Sequence, residues 1–271
     1  MNTAKKHPTS DEAERFRPPL KWAGGKRWLI PHLASLYEKF SDRRLVEPFV
    51  GGMAVALGLR PKQALLNDVN PHVINFYRHL KDGLKSTIEM INDREFFFVQ
   101  RSRFNTLVRD GRHDTHEAAE LFFYLNRTAF NGLCRFNSKG EFNVPFGKYS
   151  SINYSRDFLG YQEVLSNWDF TCSDFEVLNI KKDDFLYIDP PYDVEFTKYS
   201  KDDFSWKDQV RLVEWLGKFD NPIVVSNQAT QRILDLYQSA GFTISRISAP
   251  RRISCTGNRD RAWEMLAIKN I

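Results

Sequence analysis

Residues Phe185 to Tyr192 read Phe-Leu-Tyr-Ile-Asp-Pro-Pro-Tyr, an apolar run that stops at a carboxylate, two prolines and an aromatic ring. A short continuous apolar run bounded by such a stop suits a buried strand. In an open α/β sheet, ligands lie outside the carboxyl ends of the strands, so an acid where a strand stops is placed at a site. Pro190 and Pro191 remove backbone donors and narrow the conformations of the residue before each of them. Asp189, the Pro190 carbonyl and the Tyr192 ring are therefore held in a nearly fixed relation, suited to a flat ring that bears an amino group.

The same pattern recurs upstream. Leu45-Val46-Glu47-Pro48-Phe49-Val50-Gly51-Gly52 reads as a strand, an acid at its end, and glycines that open an apolar helix through Leu59. That is a nucleotide-type strand-turn-helix without the full dinucleotide fingerprint. Ala64 to Leu66 forms a second strand, ends at Asn67-Asp68, and precedes a helix over Pro71 to Leu80. Asp68 has two readings, an acceptor for ribose hydroxyls or a helix cap, and its place one strand-helix unit after Glu47 favours the first. Trp168 to Cys172 is a strand that runs into Asp174 and Phe175, either a partner for an adenine amino group or the cap of a short helix to Leu178. Before all of these, Lys21-Trp22-Ala23-Gly24-Gly25-Lys26 leads into a helix over Trp28 to Tyr37. It suits an anion cradle at a helix N-terminus, although an ordinary Gly-Gly turn is the commoner meaning of such a stretch alone.

Downstream, Asp193 to Trp206 suits a loop that closes over a site, with Phe196 and Tyr199 available to stack on a ring. A helix over Gln209 to Lys218, a strand over Ile223 to Asn227, a helix over Thr230 to Ala240 and a hairpin of Phe242 to Ile247 with Ala262 to Ile268 complete the pattern. The expectation is an α/β protein, a mixed, mostly parallel sheet with helices on both faces.

Between Lys81 and Tyr161 this alternation lapses, which marks an inserted region. The spacing predicts helices over Leu84 to Ile91, Glu95 to Val108 and Glu117 to Leu125, then a hairpin turning at Asn137-Ser138-Lys139-Gly140. His113 and His116 lie between these helices without partnered acids or cysteines, and a solvated surface is expected rather than a metal site. The hairpin interleaves basic, amide and aromatic side chains, a mixture shared by nucleic-acid readers and purely structural hairpins. If it reads nucleic acid, Arg127, Asn131, Arg135, Asn137, Ser138, Lys139 and Pro145 are the residues to meet it, with Arg251 and Arg252 of a second basic loop on phosphates.

The 271 residues are enough for one large domain or a core with an insertion. A net charge of +5 mildly favours a polyanionic partner. Three widely spaced cysteines, no apolar stretch of membrane-spanning length and a polar N-terminus together suggest a cytoplasmic protein without disulfides, metal or membrane.

Taken together, Lys21 to Lys26, Val46 to Gly52, Asn67-Asp68, Asn131 to Arg135, Glu141 to Gly147 and Asp189 to Tyr192 resemble the adenine-specific DNA methyltransferases of the Dam type, from Pro18 almost to the C-terminus. The resemblance implies a Rossmann-like S-adenosylmethionine-dependent methyltransferase fold. Residues 18–80 and 162–271 would form its discontinuous catalytic domain, residues 81–161 an inserted, mainly helical target-recognition domain with a β-hairpin, and residues 1–17 a loose tail. It implies that Trp22, Ala23, Gly24, Gly25, Lys26, Glu47, Pro48, Phe49, Gly51, Asp68, Asp174, Phe175 and Asp189 bind the donor. Asp189, Pro190, Pro191 and Tyr192 would carry the chemistry, and Lys21 would join the hairpin on double-stranded DNA, within GATC or a related palindrome. At the hairpin tip Ser138 and Lys139 replace the leucine and arginine of the prototype, whereas residues 60–72 are similar to a restriction-linked relative that modifies GATATC. The implied enzyme is a bacterial, archaeal or phage monomer acting without metal, with or without a separate cognate endonuclease. Cytosine-N4 or RNA amino methylation, and a silent DNA-binding relative, are the rival readings.

Overall fold

A computed structural model describes residues 16–152, 154, 158–193, 204–249 and 262–271. Arg251, Arg252, Phe196 and Tyr199 lie outside these described residues. The described chain divides into two compact units. One comprises Pro31–Val50, Pro61–Asn70 and the described residues of Asn167–Ile271; the other comprises Gly51–Arg60, the described residues of Pro71–Ser166 and those up to Ile30.

The first unit holds the sheet. Its strands are β1 (Leu45–Glu47), β2 (Ala64–Asn67), β3 (Trp168–Thr171), β4 (Phe185–Ile188), β5 (Ile223–Gln228), β6 (Thr243–Ala249) and β7 (Ala262–Lys269), in the order β3-β2-β1-β4-β5-β7-β6. The first five run parallel, and β7 is antiparallel to both β5 and β6. Every residue of β1, β2 and β4 is buried. Strands covered on both faces read as continuous apolar runs, which is why the sequence announces them. The expected terminal hairpin forms, but β7 enters beside β5 and leaves the more exposed β6 at the edge.

Chain order reverses between β1 and β4, whose register pairs Val46 with Leu186. This switch point is where an open α/β sheet leaves a crevice, and β1 ends on Glu47 while β4 delivers Asp189. One sheet face packs Val46, Leu186, Ile188 and Val225 against two helices, α7 (Trp206–Leu216) through Leu212 and Leu216 and α8 (Gln231–Ser239) through Ile233 and Tyr237. At Phe185, on the other face, the rings of Tyr37 and Phe40 lie 5.0 and 5.6 Å away. Tyr37 ends α1 (Ile30–Tyr37). The helix α7 starts ahead of the expected Gln209 because Ser205 and Asp208 form a reciprocal capping box.

The second unit holds α2 (Ala54–Leu59), α3 (Pro71–Lys81), α4 (Arg94–Arg109), α5 (His116–Thr128) and α6 (Tyr161–Leu165). Helices α3 and α4 pack against α5, which is buried along most of its length, and α6 packs against α3. Phe76 of α3 stacks on Phe123 of α5 with ring centroids 5.5 Å apart. The side chains of Asp93 and Thr115 cap α4 and α5. This unit is larger than the stretch from 81 to 161, because α3 buries Val73, Ile74, Phe76 and Tyr77 within it. The expected helix from Leu84 to Ile91 is absent. Buried Glu120 needs donors, and it takes the Thr87 N–H at 2.5 Å and hydroxyl at 3.2 Å, which holds that segment open.

Candidate active site

Past the last residue of β4, Asp189 is half-buried and Pro190 buried, while Pro191 is exposed and Tyr192 half-buried. Ser226 Oγ of β5 donates to Asp189 Oδ1 at 2.8 Å and lies 2.7 Å from the Tyr187 hydroxyl. The Pro191 carbonyl accepts from Gln209 Nε2 at 2.9 Å, and Gln209 Oε1 accepts from Asn227 Nδ2 at 3.1 Å. Beyond Tyr192, Asp193 pairs with Arg232 of α8, whose guanidinium lies 4.9 Å from the Trp206 ring centroid. Polar side chains thus reach the motif from β5, α7 and α8. None of Ser226, Asn227, Gln209 or Arg232 was assigned a site role from the sequence. The only signal was the polar ending of an otherwise apolar strand.

Along the same edge, Glu47 is buried. Asn67, fully buried, donates to the carbonyls of Pro48 and Ser173 at 3.0 and 2.9 Å, and its Oδ1 accepts from Thr171 Oγ1, Ser173 N and Ser173 Oγ. One amide therefore ties the ends of β1, β2 and β3 together. Asp68 Oδ1 accepts the Asn70 N–H at 2.9 Å, an Asx turn that leads into α3. At β3 the capping alternative is the geometry seen: Asp174 accepts the Glu176 N–H and a two-pronged contact from Arg211 at 2.9 and 2.9 Å. The Arg211 hydrogen bonds hold the Asp174 carboxyl below its usual range. Phe175 is core, packed against Phe49, Phe204 and Trp215 with Arg211 4.4 Å over its ring.

In the helical unit, the Lys21 backbone pairs with the Asn126 amide, N–H to Oδ1 at 2.7 Å and Nδ2 to carbonyl at 2.9 Å. Lys21 Nζ donates to the Arg127 carbonyl at 2.9 Å and sits 3.7 Å from the Tyr149 ring centroid. Burial, with Arg127 nearby, lowers its pKa to about 8. A Cβ on Gly132 would lie 2.4 Å from that of Lys21, so only glycine admits this side chain. Gly51 and Gly52 serve Trp22 in the same way, with a Cβ on either meeting the Trp22 side chain at 2.5 and 2.7 Å. The Gly51 carbonyl accepts from Tyr77 at 2.6 Å. Ala23, Gly24 and Gly25 are exposed, and Lys26 folds back so that Nζ donates to the Gly24 carbonyl at 2.8 Å.

The hairpin turns where expected, with Gly140 N donating to Asn137 O at 2.9 Å and Phe136 bridged to Phe142. Asn137 is spent on the turn, its Oδ1 accepting from the N–H groups of Lys139 and Glu141. Arg135 is spent across it on Asn143, at 2.8 Å. The Asn105 amide imitates a strand partner for Phe142, donating at 3.1 Å and accepting at 2.8 Å. Beneath, Phe136 stacks 4.6 Å from buried His72, whose pKa burial lowers to about 4, so this support is neutral at pH 7. Ser138, Lys139, Asn131 and Pro145 are exposed, whereas the Arg127 guanidinium donates to the Pro19 carbonyl at 3.2 Å. His113 is half-buried with its ring 6.0 Å from His72, a correction to the solvated position expected for it. His116 is exposed. Among the described residues, no three His, Cys, Asp or Glu side chains gather as metal ligands.

An acid and a rigid diproline turn beside the switch point of a mixed sheet match a known class. Residues 22–253 match the family profile of D12 class N6 adenine-specific DNA methyltransferases. The chain belongs to that family. It is 37% identical over 260 residues to the type II methyltransferase M1.LlaDCHI of Lactococcus lactis subsp. cremoris, covering 87% of this chain and 89% of that protein. It is 33% identical over 276 residues to the DNA adenine methylase of Haemophilus influenzae, 94% of each. A DNA N-6-adenine-methyltransferase of Escherichia phage P1 is 36% identical over 278 residues, but the chain spans only 36% of that protein's length. The D12 family member described here is thus an α/β methyltransferase that acts on DNA adenine. No helix among its described residues is long and apolar enough to cross a membrane.

Proposed function

We propose that this D12 methyltransferase moves the methyl group of S-adenosylmethionine to N6 of an adenine swung out of duplex DNA, within GATC or a related palindrome. The observation that carries this is Asp189, delivered past β4 at the switch point with one oxygen already held by Ser226. An exocyclic adenine amine is a poor nucleophile because its lone pair is delocalised into the ring. Asp189 and the Pro190 carbonyl accept its two hydrogens, which localises the lone pair and stabilises the positive charge that grows on nitrogen. Tyr192 stacks on the extruded base and offsets part of an unstacking cost of a few kcal/mol, roughly.

The strand-end residues fit the donor by chemistry. A sulfonium is a cation and ribose hydroxyls are donors, and the edge offers the buried Glu47 and the half-buried Asp68 and Asp189 carboxylates. Glu47 and Asp68 are assigned to it, with Pro48 and Phe49 between them in the chain. Asp174 and Phe175 are better explained by Arg211 and the core. When bound, the donor would supply an electrophilic methyl group, its S–CH3 bond breaking as the N–CH3 bond forms and the neutral thioether leaving. The cationic N6 is acidic enough to lose its extra proton by way of Asp189 to water, so Asp189 need not be a strong base. The exposed Ser138 and Lys139 are assigned to base edges of the duplex.

Treating unmethylated plasmid with protein and S-adenosylmethionine, then sequencing with modified-base detection, reads base, site and activity together. N6-methyladenine in one short palindrome is the expected result. Methylated cytosine, or no modification by a folded protein, would refute it. The type II name of the Lactococcus relative favours a restriction-linked role. Protection of the methylated plasmid from an endonuclease of the same site would support that role.

A further inference from the structure

A carboxylate that must accept from a small amine needs one fixed rotamer, with its remaining lone pairs toward the substrate. Asp189 lies beyond the last residue of β4, where the strand ladder no longer directs its side chain. The neighbouring strand supplies the constraint. Tyr187 is paired with Val224, and Ile188 with Val225, so Ser226 is level with Asp189 and on the same sheet face as Tyr187. Ser226 has one hydroxyl proton, and with that proton on Asp189 the 2.7 Å contact requires Tyr187 to donate. The phenol keeps its proton, because burial above all, and then the Asp189 and Glu47 carboxylates, push its pKa well up. The relay therefore has one direction, from Tyr187 to Ser226 to Asp189. On the other face of β5, Asn227 and Gln209, both fully buried, hold the Pro191 carbonyl and with it the peptide plane leading into Tyr192.

We propose that Ser226, backed by Tyr187, is a positioning residue for methyl transfer, fixing the Asp189 carboxylate while Asn227 and Gln209 fix the far side of the same turn. This rests on the assignment of Asp189 to the adenine amine. A small error of aim costs chemistry rather than binding.

Single-turnover methylation at saturating DNA and donor tests it. Ser226→Ala is expected to slow the methyl-transfer rate constant by roughly 10- to 100-fold. DNA affinity and the fraction of active enzyme should be unchanged. Ser226→Thr, which keeps the hydroxyl, should recover most of the rate. Tyr187→Phe should slow the step severalfold in the parent but add nothing to Ser226→Ala, because the two act through one relay. A rate constant within twofold of the parent for Ser226→Ala, or a loss seen only in the active fraction, overturns the proposal. Should Ser226→Ala fail to fold, Tyr187→Phe carries the test, and an unchanged rate there overturns it. Asp189→Ala run in parallel separates the two levels. If it stays active, the Asp189 assignment itself falls; if it is dead while Ser226→Ala is not slowed, only the relay falls.

Discussion

The turn after β4 and the hairpin of the helical unit are both short, aromatic and polar, yet they are built to opposite ends. Around Asp189 the polar side chains point inward, and Ser226, Gln209 and Asn227 hold the turn from buried positions. At the hairpin the holding groups secure the arms and, through Asn137, the backbone of the turn. Asn105, His72 and Glu141 paired with Arg109 secure the arms, while Ser138 and Lys139 stand exposed at the tip. A reaction common to a family needs a geometry that does not vary, whereas a target sequence is easiest to alter where nothing else packs. On the proposed roles, the comparison divides chemistry from address.

The hardest test of that division is Asp189→Ala. It should lower the single-turnover rate by about 10³-fold, on the scale of losing a main electrostatic stabiliser. DNA binding, read by fluorescence anisotropy, should persist. If the rate survived, the turn after β4 would have no better claim to the chemistry than the hairpin. Next in size is Asn67→Ala. Removing an amide that serves several buried partners should destabilise the sheet unit by about 3 kcal/mol in chemical denaturation. A loss under about 1 kcal/mol would mean that water or side-chain repacking replaces it.

These two residues also mark how far the sequence can be read. The strands were legible because burial on both faces demands unbroken apolar runs, and Leu45-Val46 and Phe185-Leu186-Tyr187-Ile188 have no other good explanation. Asp189 was legible because an acid followed by two prolines has few structural uses. Asn67, Ser226 and Gln209 were not, since each acts across a distance in sequence that no local pattern encodes. Gln209 reads as a polar residue on an amphipathic helix until α7 is laid against β5. Asp174 kept two readings for the matching reason: its partner Arg211 is 37 residues away, and a carboxylate at a strand end looks the same whether a guanidinium or a ligand will meet it. Arg135 and Asn137 carry the composition of a nucleic-acid reader, and the structure spends both within the hairpin. The place of β7 between β5 and β6 is a choice of sheet order, to which patterning is blind.

At the hairpin the expected effects are smaller and of another kind. Lys139→Ala should cut the preference for cognate over random DNA by roughly 10-fold, the worth of one base contact. The rate on saturating cognate DNA should fall less than about threefold, since base contacts specify and phosphate contacts position. Competition between cognate and scrambled duplexes measures the first, and single turnover the second. Equal losses on both duplexes would make Lys139 a phosphate contact and remove the address from the tip.

The smallest effect sharpens the comparison from the side of the hairpin unit, where the half-buried Lys21 is held by a carbonyl and a ring much as the groups around Asp189 are held. Its ammonium meets the Arg127 carbonyl and the Tyr149 ring in space left by Gly132, with the Arg127 cation nearby. Burial lowers its pKa to about 8 in the folded protein, against about 10.4 in an unfolded chain. Between these values the unfolded state binds more protons, so stability rises with pH there. The penalty of burying the charge is fully present below pH 8 and is relieved as the pH climbs. Lys21→Met removes the titrating group but keeps most of the stem. Denaturation at pH 7 and pH 9.5 should show the parent gaining on Lys21→Met as the pH rises, with tyrosine ionisation common to both. A difference that stays flat would place the Lys21 ammonium in water and take Lys21 out of the comparison with the groups held around Asp189.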